Sequence, residues 1–248
     1  MRLLAIALSF ALIQCKPSVG PSKEIVLNTD TAVVDTPIQA SDNVELSVLE
    51  SKMKQAGLIN VQWLNPNIAV DLKYSTLDNF LNTDLYGELE HAYLEENTAK
   101  KLAVAQHYLN TKNPDLSIKV WDAARPVSIQ QRMWDVVDVP VDQKGRFVSN
   151  PKNHSLHNYG CAVDVTLIGK DNKELDMGTA FDQFDSLAQP KYEYLMLQRN
   201  KLSAQQLSNR KLLRTVMLES GFTAISSEWW HFNSCTRQFA KTNYVLLE

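Results

Sequence analysis

Hydrophobic and polar positions alternate along the chain in two periods, and the period changes mark the elements. Residues 47–57 read as a short helix that stops at Gly57, a residue suited to a helix end. Residues 68–74 (IAVDLKY) alternate like a strand, 98–109 follow a helical period, and 116–121 (LSIKVW) alternate again. Pro126 at the first position of PVSIQQRMWDVV suits a helix start, where its missing N–H has no partner to lose. Residues 161–167 (CAVDVTL) form a strand pattern with Val163, Val165 and Leu167 on one face. The clearest helix is 203–220: Ser203 and Gln206 make a capping-box pair, Gly221 closes it, and Leu207, Val216 and Met217 lie on its apolar stripe. No internal repeat is present. Strands spaced this irregularly do not build a run of βαβ units, so the pattern predicts a single α+β domain. Its central sheet should be mixed or mostly antiparallel and flanked by helices.

The first part of the chain follows neither period. Arg2 precedes an apolar run, 3–13, too short to span a bilayer, which needs roughly 20 residues. Residues 1–14 therefore read as an export signal. Cys15 follows directly in Leu12-Ile13-Gln14-Cys15, which resembles the lipidation site of bacterial lipoproteins and would attach the chain to a membrane. Gln14 stands where that pattern has a small residue, and an ordinary signal cleaved nearby is the alternative. No aromatic residue occurs between Phe10 and Trp63. Aromatic side chains bury the most area per residue, so 15–44, with its prolines, Ser, Thr and Asp, reads as a flexible tether and 45–248 as the folded domain.

Composition excludes several function classes. A net charge of −3 argues against a nucleic-acid partner. No two of the 8 glycines are close enough for a dinucleotide or phosphate loop. The 3 cysteines make neither a disulfide scaffold nor a CxxC zinc motif. Ser51-Lys52-Met53-Lys54, Ser41-Asp42-Asn43 and Lys241-Thr242-Asn243 imitate pieces of a penicillin-binding-type serine site, but in the wrong order and spacing.

The 5 histidines carry more information. His91 and His107 lie in polar or helical surroundings and read as solvated. His157 and Asp164 fall in Ser155-Leu156-His157-Asn158-Tyr159-Gly160-Cys161-Ala162-Val163-Asp164, where Gly160 permits a bend before the strand. Asp164 is an isolated charge between apolar neighbours and requires a cationic partner. A metal shared with His157 is one solution; pairing with Arg125 or a cluster of N–H groups is the other. Glu228-Trp229-Trp230-His231-Phe232 sets a second acid and histidine in an apolar wall, which would raise the acid's pKa towards general acid/base use. In a regular strand Glu228 and His231 face opposite sides, so a shared task requires a bend. Two histidines and one aspartate with an open fourth position is the form of a catalytic zinc site. Arg125, between a strand and a helix, is placed either to steady a developing oxyanion or to make a surface ion pair.

These residues carry a resemblance. The chain resembles the D-alanyl-D-alanine dipeptidases of the VanX type, zinc peptidases in the family that also holds D,D-carboxypeptidases of the VanY type. SxHxxGxAxD is complete from Ser155 to Asp164, and ExxH is present as Glu228-Trp229-Trp230-His231. The segments around Asp71–Tyr74, Asp78-Asn79-Phe80, Arg125-Pro126 and Asp176 to Asp182 follow the same pattern. The resemblance implies one Zn²⁺ per chain held by His157, Asp164 and His231, with Glu228 as general base and Arg125 stabilising the tetrahedral intermediate. It also implies that Asp182, Tyr74 and Ser155 line the substrate end and that the substrate is the small peptide D-Ala-D-Ala. Action on peptidoglycan stems as a D,D-carboxypeptidase or endopeptidase is the alternative, and a non-catalytic cell-wall module is a third reading. Two departures stand out: Ala124 where an aromatic is common, which would widen the pocket, and Cys161 inside the first motif. Cys161 and Cys235 read as two buried thiols, with a disulfide as the alternative, and His154 is a weaker substitute for His157.

Overall fold

The computed structural model describes residues 47–248. The expected export signal, Cys15 and the tether lie outside the described residues, as does the Ser41-Asp42-Asn43 match. The chain begins with α1 (Val48–Gln55), β1 (Ile59–Asn60), α2 (Val61–Leu64) and β2 (Ala69–Val70). It continues with β3 (Tyr93–Leu94), α3 (Glu96–Lys112), β4 (Ser117–Asp122), α4 (Val127–Val136), α5 (Val141–Lys144) and β5 (Ala162–Ile168). The last elements are α6 (Glu193–Gln198), α7 (Ala204–Glu219), β6 (Thr223–Ala224), β7 (His231–Asn233) and α8 (Arg237–Asn243). Five strands form the main sheet in the order β2-β4-β5-β7-β6, parallel between β2 and β4 and antiparallel elsewhere. This is the mixed sheet of an α+β domain. A separate antiparallel pair joins β1 to β3.

Local chemistry accounts for the element ends. Ser47 Oγ accepts from Glu50 N–H at the start of α1, and the Ser203–Gln206 capping box is complete at the start of α7. The central strand β5 is buried along its whole length because both faces are covered. On one face Val163, Val165 and Leu167 join Leu213, Val216 and Met217 of α7 and Leu102 and Leu109 of α3 in the core. The opposite face bears Asp164 and Thr166.

Two expected elements differ. The strand expected over 68–74 stops at Val70, with one more pairing from Asp71 N–H to Val120 C=O at 2.9 Å. A 3-10 turn, Lys73–Ser75, follows, and its Tyr74 C=O accepts from both Leu85 and Tyr86 N–H. That turn points the Tyr74 side chain inward. Pro126 stands just before α4 as its cap residue instead of being the first helical residue, because its ψ of 148° is extended. Both Cys161 and Cys235 are free thiols, the first buried and the second half-buried. His107 is exposed as expected, whereas His91 is half-exposed and its Nδ1 lies 2.8 Å from Glu50 Oε1.

Gly160 joins a 3-10 turn (Leu156–Tyr159) to β5 at φ 64°, in the left-handed region. A Cβ there would sit 2.7 Å from the Glu95 backbone nitrogen, closer than atoms approach. Gly160→Ala should therefore destabilise the domain by about 2 kcal/mol or more. Chemical denaturation checks this, and an unchanged midpoint would mean that the turn relaxes freely.

Candidate metal centre

Three strands and one turn bring the chemistry together. Cross-strand register pairs Asp164 of β5 directly with His231 of β7 and, on its other side, with Asp122 of β4. Directly opposed residues in an antiparallel pair lie on the same face, so these side chains meet on the side of the sheet away from α7. His157 comes from the 3-10 turn, which opens with Ser155 N–H donating to Asn158 Oδ1 at 2.7 Å. The left-handed bend at Gly160 then leads the chain into β5, as the motif's glycine suggested.

The donor atoms of His157, Asp164 and His231 surround one point. His231 Nδ1 lies 2.9 Å from Asp164 Oδ1 and 3.2 Å from His157 Nε2, and His157 Nε2 lies 3.6 Å from Asp164 Oδ1. Ligands at zinc–nitrogen distances of about 2.0–2.1 Å on a tetrahedron are separated by roughly 3.3 Å, which fits this triangle. The outer ring nitrogens support the same reading. His157 Nδ1–H donates to Ala123 C=O at 2.6 Å, and His231 Nε2–H donates to Asn233 Oδ1 at 2.8 Å. Both hydrogens of the neutral rings thus point outward, and two nitrogen lone pairs and a carboxylate oxygen face one another. A proton on His231 Nδ1 or a metal ion offsets the repulsion in that arrangement. Burial opposes the charge on Asp164, but His157 and His231 draw its carboxyl well below the usual range. Burial likewise opposes a charged His231, yet Asp164 more than offsets it and holds the ring up to about 9. The field that favours a proton there favours a divalent ion more. No other group of three or more His, Cys, Asp or Glu side chains among the described residues could hold a metal.

Glu228 stands beside this cluster, its Oε2 4.0 Å from His231 Nδ1. The chain bends through Trp229 and Trp230 and becomes a strand only at His231. The bend removes the alternation that would have sent Glu228 to the far side. It is held by packing: Trp229 and Trp230 meet edge to face at 5.5 Å, Trp121 and Phe181 close on them, and Trp229 Nε1–H donates to Thr179 Oγ1. Such aromatic pairs contribute about 0.5–1.5 kcal/mol each beyond their burial. Burial pushes the Glu228 carboxyl above its ordinary range, with His231 pulling the other way.

Arg125 is buried, and its ion pair is internal. Its Nε donates to Asp122 Oδ2 at 3.0 Å and its Nη2 to the same oxygen, while its guanidinium stacks 5.2 Å over the Tyr74 ring. Asp164 therefore takes the histidines and Arg125 takes Asp122, which resolves the two pairings left open for Asp164. Tyr74 O–H donates to Asp182 Oδ2 at 2.7 Å, and burial raises Asp182 well above the carboxylate range. Ser155 Oγ–H donates to Gln130 Oε1 at 2.8 Å. All the sequence-expected site residues line one cleft of about 460 Å³. His154 is held by Tyr159 and is not part of the metal-binding group, and Ala124 is buried with its N–H on Tyr93 C=O, off the cleft wall. The small residue at 124 therefore does not open the cleft.

Sequence reasoning passed over two side chains that organise the site. Asp122 is fully buried and serves Arg125, Tyr86 O–H at 2.5 Å and, at 3.5 Å, His157 Nδ1. It is an isolated charge between apolar neighbours, as Asp164 is, and the same argument applies to it. Asn233 lies two residues beyond His231 on the same strand face, and that spacing was its only signal.

Comparison with known proteins places this geometry in context. A family model described as D-ala-D-ala dipeptidase matches residues 54–245. The D-alanyl-D-alanine dipeptidase of Escherichia coli K12 is 29% identical over 180 residues, covering 71% of this chain and 83% of its own length. That of Enterococcus faecium is 29% identical over 186 residues, covering 65% and 83%, and that of Synechocystis 28% over 169 residues, covering 56% and 68%. A solved LdcB LD-carboxypeptidase overlays at a TM-score of 0.38 and 15% identity, covering 60% of this chain and 63% of that one, which is too loose to carry an argument.

The outward hydrogen bond of His231 generates a prediction. Asn233→Ala removes the acceptor that orients the ring, and metal affinity should fall by about 10- to 100-fold. Competition against a coloured chelator measures this, and unchanged affinity would show that Asn233 does not orient the ring.

Proposed function

The chain belongs to the D-ala-D-ala dipeptidase family of peptidases, and on that premise we propose that it hydrolyses the dipeptide D-Ala-D-Ala with one zinc ion held by His157, Asp164 and His231. The observation that carries the proposal is the convergence of three lone-pair donors on one point beside Glu228. Zinc bound there supplies Lewis acidity, which polarises a scissile carbonyl and makes water a nucleophile near neutral pH.

The chain's own residues do the rest. Glu228 takes the proton of the attacking water on its carboxylate and passes it to the leaving amine. Its elevated pKa suits the task, because a weakly basic carboxylate would take the proton from water poorly and lose it to solvent before the leaving amine could accept it. Arg125 is held by Asp122 through Nε and Nη2, which leaves Nη1 to meet the negative charge that develops on the substrate oxygen. The pairing is rigid and buried, so little reorganisation accompanies the reaction. Tyr74 occupies one oxygen of Asp182, and the other is available to the ammonium of a free dipeptide, whose charge offsets the burial that opposes ionisation of Asp182. An acylated amine has no charge to offer there, and that disfavours longer stem peptides. Trp230 and Phe184, at 6.4 Å, wall the cleft and limit water around the reacting groups.

A panel of D-Ala-D-Ala, L-Ala-L-Ala and a stem pentapeptide, with and without chelator, tests the reading. D-Ala-D-Ala should be cleaved, L-Ala-L-Ala and the pentapeptide spared, and chelation should abolish turnover. Trimming of the pentapeptide with the dipeptide left intact would make the protein a D,D-carboxypeptidase. Glu228→Gln should keep its metal and lose about 10²- to 10⁴-fold in kcat, and unchanged turnover would remove Glu228 from its role. Arg125→Ala should lower kcat by about 10²-fold while raising KM less, and the reverse pattern would make it a ground-state binding residue.

A further inference from the structure

Three arginines line the cleft, and they are engaged differently. Arg125 is buried and committed to Asp122. Arg146 and Arg237 are exposed, and neither makes an ion pair with any described residue. Their backbones are nevertheless anchored. Arg146 follows α5 in a turn where its N–H donates to Gln143 C=O at 3.0 Å, and Phe147 and Val148 N–H fold back onto Lys144 C=O. The Phe147 ring then packs against Phe184 at 5.3 Å. Arg237 opens α8, whose first turn is capped by Thr236 Oγ1. The two guanidinium groups thus stand on separate elements at the rim of one cleft.

The cleft's own carboxylates are buried: Asp164 meets two histidines, and Asp182 accepts from Tyr74 through Oδ2, which leaves Oδ1 for an ammonium. These lie buried on the floor with Glu228 beside them, while the free cations lie at the exposed rim. A zwitterionic peptide whose ammonium meets Asp182 on the floor turns its carboxylate outward to the rim. A guanidinium is well matched to a carboxylate in both charge and fork geometry.

We infer that Arg146 and Arg237 are the specificity-determining residues for the free C-terminal carboxylate of the peptide. The inference rests on the dipeptidase reading and adds to it a demand at the other end of the substrate. A peptide whose carboxylate is blocked as an amide keeps its ammonium and its scissile bond but loses the rim contact. The guanidinium groups act on binding, so their removal shows chiefly in KM and in Kd. Being exposed, they are also screened by salt, and raising the ionic strength weakens binding of the acid more than that of the amide.

The test compares D-Ala-D-Ala with D-Ala-D-alaninamide on the zinc-loaded full chain, for wild type, Arg146→Ala, Arg237→Ala and the double variant. Wild type should favour the acid by about tenfold or more in kcat/KM. In the double variant the acid's KM should rise by about as much and the preference collapse towards one, with Arg237→Lys retaining part of it. A second readout is free of turnover: in a Glu228→Gln background, quenching of tryptophan fluorescence by D-Ala-D-Ala should show Kd rising in parallel. A wild-type preference near one, or a preference that survives in the double variant, would overturn the inference while leaving dipeptidase activity in place. A zinc-loaded chain inert to both peptides would overturn the dipeptidase reading and this inference with it.

Discussion

Two imidazole lone pairs and a carboxylate oxygen within 2.9–3.6 Å of one another repel unless a proton or a metal ion lies among them. Much of the fold holds that arrangement in place. Cross-strand register sets Asp164 opposite His231, the left-handed turn at Gly160 carries His157 to the same point, and Ala123 C=O and Asn233 Oδ1 take the outward ring hydrogens. Each constraint comes from backbone pairing or a single hydrogen bond within the fold. Preorganisation of this kind is what separates a binding site from a chance cluster of acids and histidines.

Asp122 connects that point to the rest of the cleft. A fully buried carboxylate left unpaired would be costly, and here one side chain meets a guanidinium, a phenol and the neighbourhood of an imidazole. It thereby fixes Arg125 relative to His157 through β4, the strand beside Asp164. The aromatic frame does for Glu228 what Asp122 does for Arg125. Trp121, Trp229, Trp230 and Phe181 lock the bend that turns Glu228 towards His231, and none of them needs to touch a substrate to matter.

The legible parts of the sequence were those where local pattern and tertiary demand agree. The capping box at Ser203 and the alternation around Val163 and Val165 stand in the structure almost as read, because nothing distant opposes them. The strand expected through Tyr74 ended early because the turn at 73–75 serves the cleft, where Tyr74 meets Asp182 across 108 residues of chain. That partner has no local signal. The Glu228–His231 bend was similarly invisible, since strand periodicity says only that the two should diverge. Asp122 was hidden for another reason: its full burial is decided by strands that lie elsewhere in the chain.

The central claim is that this triangle is a metal centre built from nitrogen and oxygen alone, although free thiols at Cys161 and Cys235 lie close in sequence to its ligands. X-ray absorption at the zinc K-edge of the purified protein addresses it directly. The account predicts one zinc per chain, with an inner shell of nitrogen and oxygen at about 2.0–2.1 Å that includes imidazole scattering and no sulfur. A sulfur shell near 2.3 Å, or protein that takes up no zinc at neutral pH, would contradict it.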